Sequence, residues 1–333
     1  MGVSLPPHSR RILMFYPRRI GDWVVTTPFL RGLRQKFPEA EIVAVASAKS
    51  AAVMPLIPFI DRFLILGRPE NVGQNLKLLK FLLTSDRWDL YIDLDPNPAF
   101  SRGGWIFSCL TRSESKAAFE RMGNENFQVR AHLPKGGGPM LERYERLSRA
   151  MDIPYQPRPE LRAFPEDEKM AAREMESLNL GRPRILIHPG DLKREEGLRW
   201  PREKFVQLGK RLVAEKIPLF FLAGPGERET VESLTTEIGL SSSLVIGPRP
   251  LKEAAAFIRQ ADLFVSSLNG SSHVAAALGV PTFSFYMGYD WEVWQIPGEN
   301  HWGLVGGERD CRSITVEETY EAIKKIIKSA SLK

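Results

Sequence analysis

At 333 residues the chain is longer than a single domain usually is, and about 150 residues per domain makes two the natural expectation. Its 43% apolar and 26% charged residues exclude a disordered or fibrous chain. Its two cysteines, Cys109 and Cys311, are too few and too far apart for a disulfide framework or a zinc site. A formal net charge of +6 points to an anionic partner: nucleic acid, an acidic lipid face or a phosphorylated substrate.

No stretch is apolar enough for long enough to span a bilayer, and MGVSLPPHSRR does not read as a signal peptide. Arg11 to Tyr16, RILMFY, reads as a first buried strand. Gly21 then permits a tight turn and Asp22 sits where a helix begins. Val24, Val25, Phe29, Leu30 and Leu33 form its apolar stripe, Pro28 falls near its first turn or kinks it, and Pro38 closes it. Strands follow at Glu41 to Ala46 and Phe63 to Leu66, a leucine-rich helix at Leu76 to Leu83, and a strand at Asp89 to Leu94. This alternation predicts a parallel sheet covered by helices on both faces.

Asp22 has two readings. At a strand-to-helix turn it is an ordinary cap. At the carboxyl edge of a parallel sheet it is also where α/β domains bind ligands, and a carboxylate there can act as a general base. Arg18 and Arg19 beside it are either a solvated loop or contacts for an anionic acceptor. Between Phe100 and Arg121, Trp105, Ile106, Phe107 and Leu110 space as an amphipathic helix, first of all a core-packing one. The basic Arg102, Arg112, Lys116 and Arg121 around it also suit an anionic membrane interface. Met140 to Met151 is helical, and the prolines at 154, 157, 159 and 165 mark a linker, dividing the chain into 1–160 and 161–333.

The second half repeats the alternation. Strands are expected at Arg184 to His188, Leu219 to Ala223, Leu244 to Ile246, ADLFV before Ser266, and Thr282 to Tyr286. Helices are expected at Glu166 to Leu178, Pro201 to Glu215, Glu229 to Ile238, Leu251 to Gln260 and Thr315 to Ser329. The last helix is a candidate to return to the first domain. Neither half carries the GxGxxG fingerprint after its first strand, so a dehydrogenase is unsupported. Three strand ends converge on one sheet edge: His188-Pro189-Gly190, Gly226-Glu227 and Asn269 to His273. In SSLNGSSHVAAALGVP, Asn269-Gly270 makes a turn, Ser271 and Ser272 read as N-caps, and the helix start is a ready site for a diphosphate. Glu227 either caps the next helix or accepts from ribose hydroxyls, and His188 is either a core histidine or part of this edge.

These motifs resemble glycosyltransferase family 9, the heptosyltransferases of lipopolysaccharide inner-core assembly. The resemblance runs over nearly the whole chain, through RILMFYPRRIGDWVVTTPFLRGLRQKFPEAEI, DLYIDLDPN, ILIHPG, RWPREKF, LAGPGE and ADLFVSSLNGSSHVAAALGVPTFSFY. It implies a GT-B fold, two Rossmann-like domains with parallel sheets facing a central cleft, and transfer with inversion and without a metal or other cofactor. It implies that Asp22 is the base; Arg18, Arg19, Arg102 and Arg121 are the candidate contacts for an anionic glycolipid acceptor. It places Glu227 near the ribose and Gly270, Ser271, Ser272 and His273 near the diphosphate of a nucleotide-sugar donor, ADP-heptose first; His188, Gly190, Lys193, Arg199 and Asn269 are further donor-site candidates. A cytoplasmic enzyme, peripheral on the inner face of the membrane and without a nucleic-acid partner, is the corresponding expectation.

Two departures stand out. The family usually has Asp-Ser-Gly or Asp-Thr-Gly where this chain has Leu268-Asn269-Gly270, and a lysine where it has Leu198, before Arg199-Trp200-Pro201. Arg199, Lys193 or Arg194 would replace that lysine's charge. The same fold using another nucleotide sugar, and a degenerate binding or assembly member, are the alternatives.

Overall fold

The computed structural model describes residues 9–97, 99, 102–190 and 198–330. They form two compact units, divided after Pro159.

In the first unit, β1 (Arg11–Tyr16), α1 (Ile20–Lys36), β2 (Glu41–Ser47), β3 (Arg62–Leu66), α2 (Val72–Thr84), β4 (Trp88–Asp93), α3 (Arg102–Leu110), β5 (Ser113–Phe119), β6 (Val129–Ala131) and α4 (Met140–Ala150) follow in order. The sheet is parallel, with strand order β3-β2-β1-β4-β5-β6. The apolar runs read from the sequence are its central strands: Ile12 to Tyr16 and Ile42 to Ala46 are buried throughout, as strands covered on both faces must be. Leu13, Phe15, Val43, Val45 and Tyr91 pack on one face against Leu78 and Leu82 of α2 and Phe107 of α3.

Pro28 lies well inside α1, not in its first turn. A proline there denies a hydrogen bond to the carbonyl four residues back. The Thr27 hydroxyl donates to that carbonyl, of Val24, at 2.7 Å, so the helix continues. Gly32 is fixed by packing, since a Cβ there would lie 1.8 Å from the Pro154 carbonyl oxygen.

The stretch from Phe100 to Arg121 divides into a short helix and a strand. In SESKAAF, Ser115, Ala117 and Phe119 are buried while Glu114 is exposed and Lys116 half-buried, a period of two that ends where Ala118 is buried as well. Small residues carry that alternation, and they give a weak apolar signal.

The second unit holds α5 (Pro165–Ser177), β7 (Ile185–His188), α6 (Arg202–Ala214), β8 (Leu219–Leu222), α7 (Arg228–Ile238), β9 (Val245–Ile246), α8 (Leu251–Ile258), β10 (Leu263–Ser267), α9 (Gly270–Ala277), β11 (Thr282–Tyr286), α10 (Gly288–Trp294), β12 (His301–Val305) and α11 (Val316–Ala330). Its parallel sheet runs β12-β11-β10-β7-β8-β9. Trp200 is fully buried, stacked on Phe285 at 4.2 Å, and forms the core with Phe205 and Phe221. The closing helix α11 contributes to this unit's core. It packs on α6, and its Tyr320, Ile323 and Ile326 complete the same core. These residues recur at helical spacing, so one face of α11 is apolar and is buried there.

Candidate functional site

The carboxyl edge of the first sheet gathers charge. Arg19 is the N-cap of α1, and Asp22 is the third residue of the helix, where its carboxylate accepts the Arg19 N–H at 3.0 Å. Asp22 thus supports the helix start from inside it and is not the cap residue itself. Burial raises its pKa from the ordinary value, against the pull of that hydrogen bond and of Arg18 and Arg19, with Asp95 adding to the rise. A carboxylate that is ionised but weakly solvated is a better proton acceptor than one in water.

Two further carboxylates, singled out by no local pattern except the DLYIDLDPN motif, stand at the end of β4. Asp93 is fully buried and Asp95 nearly so. Arg18 grips Asp95 with its Nη2 at 2.7 and 2.9 Å, while Arg121 is bonded to Asp93 and donates to the Asp95 carbonyl at 3.2 Å. Burial pushes the Asp93 carboxyl up to about 6, and Arg121 holds it from rising further. Arg121, expected at the acceptor, has a side chain only 4% exposed and spends its guanidinium on these aspartates. Arg18 stays partly open, Arg19 is exposed, and Arg102 opens α3, its side chain lying outside the described residues. An aspartate ending an otherwise apolar strand was the available signal for Asp93. Its partner is 28 residues away, beyond any local pattern.

The second sheet's carboxyl edge is assembled from three adjacent strand ends. After β8, the Gly224 N–H donates to the Glu227 carboxylate at 2.7 Å. The absence of a side chain at Gly224 makes this fold-back possible, because a Cβ would lie 2.9 Å from that oxygen. The same carboxylate faces His188 Nε2 at 3.1 Å, at the end of β7. His188 Nδ1 lies 2.5 Å from the Ser271 hydroxyl, in the first turn of α9 after β10. Burial pushes the Glu227 carboxyl up, but His188, the Gly224 N–H and Arg199 outweigh it and hold the group below its ordinary value.

Asn269, not a serine, caps α9: its side-chain oxygen accepts the Ser271 N–H at 2.8 Å. That oxygen already occupies one N–H of the helix start, leaving the dipole and the remaining polar groups for an anion. Ser272 turns inward, fully buried, with its hydroxyl 2.7 Å from that of Ser266. His273 is buried edge-on to Trp294, and burial lowers its pKa to about 4, so it adds no positive charge near neutral pH. Gly190 holds a left-handed φ of +80°, and a Cβ there would lie 3.3 Å from the Asn269 amide nitrogen and 3.7 Å from Arg199 Nε.

Arg199 donates to the carbonyls of Leu198 at 3.1 Å and Leu268 at 3.2 Å. It is steered by Trp200, whose N–H bonds Ser267 Oγ at 2.9 Å and whose indole bonds the Ile314 carbonyl at 3.0 Å. Leu268 packs with Tyr286 and Ile296. Lys193 lies outside the described residues. The structure therefore brings His188, Gly190, Arg199, Glu227, Asn269 and Ser271 together, with Gly270 opening the helix beside them.

Two parallel sheets of this strand order in one chain are the GT-B architecture. The family 9 glycosyltransferase from Veillonella parvula DSM 2008 superposes with a TM-score of 0.82 at 17% identity, covering 98% of this chain and 99% of that one. E. coli ADP-heptose LPS heptosyltransferase II gives 0.76 at 19% identity, over 96% and 99%. In sequence, lipopolysaccharide heptosyltransferase 2 of Escherichia coli K12 is 29% identical over 293 residues, 83% of this chain and 82% of its own. The model of glycosyltransferase family 9 (heptosyltransferase) matches residues 84–322, well over half the chain. The chain belongs to this family and is a glycosyltransferase.

Proposed function

We propose that the protein transfers heptose from ADP-heptose to an anionic glycolipid acceptor of the lipopolysaccharide-core type, with inversion and without a metal. The observation that carries this reading is Asp22, a half-buried carboxylate with a raised pKa at the edge of the first sheet, next to Arg18 and Arg19. Asp22 takes the proton of the acceptor hydroxyl as that oxygen attacks the anomeric carbon, and the bond to the diphosphate breaks on the opposite face. Charge growing on the leaving ADP is met by the α9 N-terminus and by Arg199. Glu227, held ionised on its loop, accepts from the ribose hydroxyls. The names of the sequence relative and of the E. coli structural neighbour favour this donor and acceptor.

The test is a transfer assay with ADP-heptose and isolated core glycolipid. ADP release and a product of opposite anomeric configuration, unchanged by EDTA, are expected. Retention of configuration, or loss of turnover on chelation, would refute the corresponding step. In calorimetry, Glu227→Ala should weaken ADP binding by about 1–3 kcal/mol, the cost of stranding a buried hydrogen-bonding group. Unaltered affinity in a folded variant would remove Glu227 from the donor site. ADP binding without turnover on any acceptor would instead mark a binding member of the family.

A further inference from the structure

Helices α2 and α3 cover one face of the first sheet, and their inner residues Leu78, Leu82 and Phe107 belong to the core beneath it. Their outer sides are apolar too. Val72, Leu76 and Leu83 are 59%, 58% and 50% exposed, and Trp105 and Ile106 are 49% and 47% exposed. These five are half of the ten large hydrophobic residues exposed among those described. At about 100° per residue, Val72, Leu76 and Leu83 fall within about 40° of each other, so they form one narrow outward stripe along α2. A soluble surface scatters such residues, whereas a contiguous stripe marks a surface that something covers.

The charges around the stripe say what covers it. Lys77 and Lys80 are exposed and flank it on one side, and Arg112 is exposed just past α3. Neither 71–85 nor 97–113 contains an aspartate or glutamate. At the ends of α2, Glu70 and Asp86 are matched by Arg68 and Arg87, all four exposed. An apolar stripe bordered by lysines, with a tryptophan beside it, has the composition of an element lying in an anionic lipid interface. A protein partner of opposite charge would leave the leucines to be matched separately. A lipid surface satisfies both demands at once.

We propose that the outer faces of α2 and α3 dock the enzyme on an anionic phospholipid surface. This rests on the acceptor being lipid-linked. Trp105 lies in the first turn of α3, the turn that follows the carboxyl edge of β4 where Asp93 and Asp95 stand. Docking through this face keeps that edge close to the headgroup layer that carries the acceptor.

The test is sedimentation of the full chain with phosphatidylglycerol/phosphatidylethanolamine vesicles, compared with phosphatidylcholine vesicles. The native protein should bind the anionic vesicles, less at high salt, and bind phosphatidylcholine weakly. Leu76→Gln with Leu83→Gln should lower the partition coefficient about tenfold or more, and Lys77→Gln with Lys80→Gln about fivefold per lysine. All these residues are exposed, so thermal melting and transfer to a lipid-free core oligosaccharide should be unchanged. Equal binding by native and leucine variants, or equal binding to both vesicle types, would overturn the proposal. So would self-association in sedimentation velocity that the leucine variant abolishes without any vesicle binding, because a second copy then covers the face. Vesicle binding that follows this pattern in a protein without transferase activity supports the docking surface and places the failure with the proposed reaction alone.

Discussion

Asp22→Asn is expected to lower turnover by about 10²–10⁴-fold while leaving the fold and ADP affinity intact. The range is that of a positioned general base. Asparagine keeps a carbonyl oxygen for the Arg19 N–H that Asp22 accepts at 3.0 Å, so the helix start loses little. What it cannot do is take the acceptor's proton. The pH profile gives an independent reading. Burial raises the Asp22 pKa, and a base is active only when deprotonated, so turnover should fall as pH drops through a limb lying above the usual aspartate range. Arg18 and Arg19 hold that limb down, and Arg18→Gln should move it to higher pH. Near-native turnover in Asp22→Asn, measured with the transferring donor and acceptor, would end the assignment.

Arg121→Ala is expected to act on stability, not on acceptor recognition. Its guanidinium and the Asp93 carboxylate are 4% and 1% exposed, and removing one member of such a pair leaves a buried charge without compensation. The cost is about 3–5 kcal/mol, seen as a lower melting temperature for the first unit, with ADP binding by the second unaffected. The penalty depends on pH. Asp93 titrates near 6, above its ordinary value, so it is neutral and tolerable in acid and charged at neutral pH. The folded state therefore loses this contribution as pH rises from about 4 towards about 6; without Arg121 the carboxyl is pushed higher still, so the gap between Arg121→Ala and the native protein should widen as pH rises above about 6. Asp93→Asn added to Arg121→Met should recover part of the loss by removing both charges. A normal melting curve with a raised acceptor KM would show instead that Arg121 meets substrate.

What was legible in the chain was whatever is written locally. Apolar runs such as RILMFY and EIVAVA gave the central strands, and the glycines and prolines gave most boundaries. The strand Ser113–Phe119 escaped because serine and alanine carry its alternation, and β12, pairing through His301 to Val305, because it is a half-exposed edge. The glycosyltransferase family was legible from its motifs, and the family match agrees. The pairings inside the candidate sites were not. Glu227 and His188 stand 39 residues apart, His188 and Ser271 83 apart, and Arg18 and Asp95 77 apart. Each residue could be singled out as polar at a strand end. Which ones spend their hydrogen bonds on each other, and which turn inward like Ser272 and Arg121, is decided by sheet order.

That order has a further meaning. Numbered within each unit, both sheets run three-two-one-four-five-six. In such a sheet the connections leave the first and fourth strands towards opposite faces, and a crevice opens at their carboxyl ends. Asp22 and Asp95 follow those strands in one unit, His188 and Asn269 in the other. The chain has thus solved the same construction problem twice and written a different chemistry at the same address each time. Because each address is furnished by its own turns, one can change by local substitution while the other is inherited intact. Leu268, packed against Tyr286 and Ile296, stands in the turn that furnishes the second address, so a substitution there would act on that address locally.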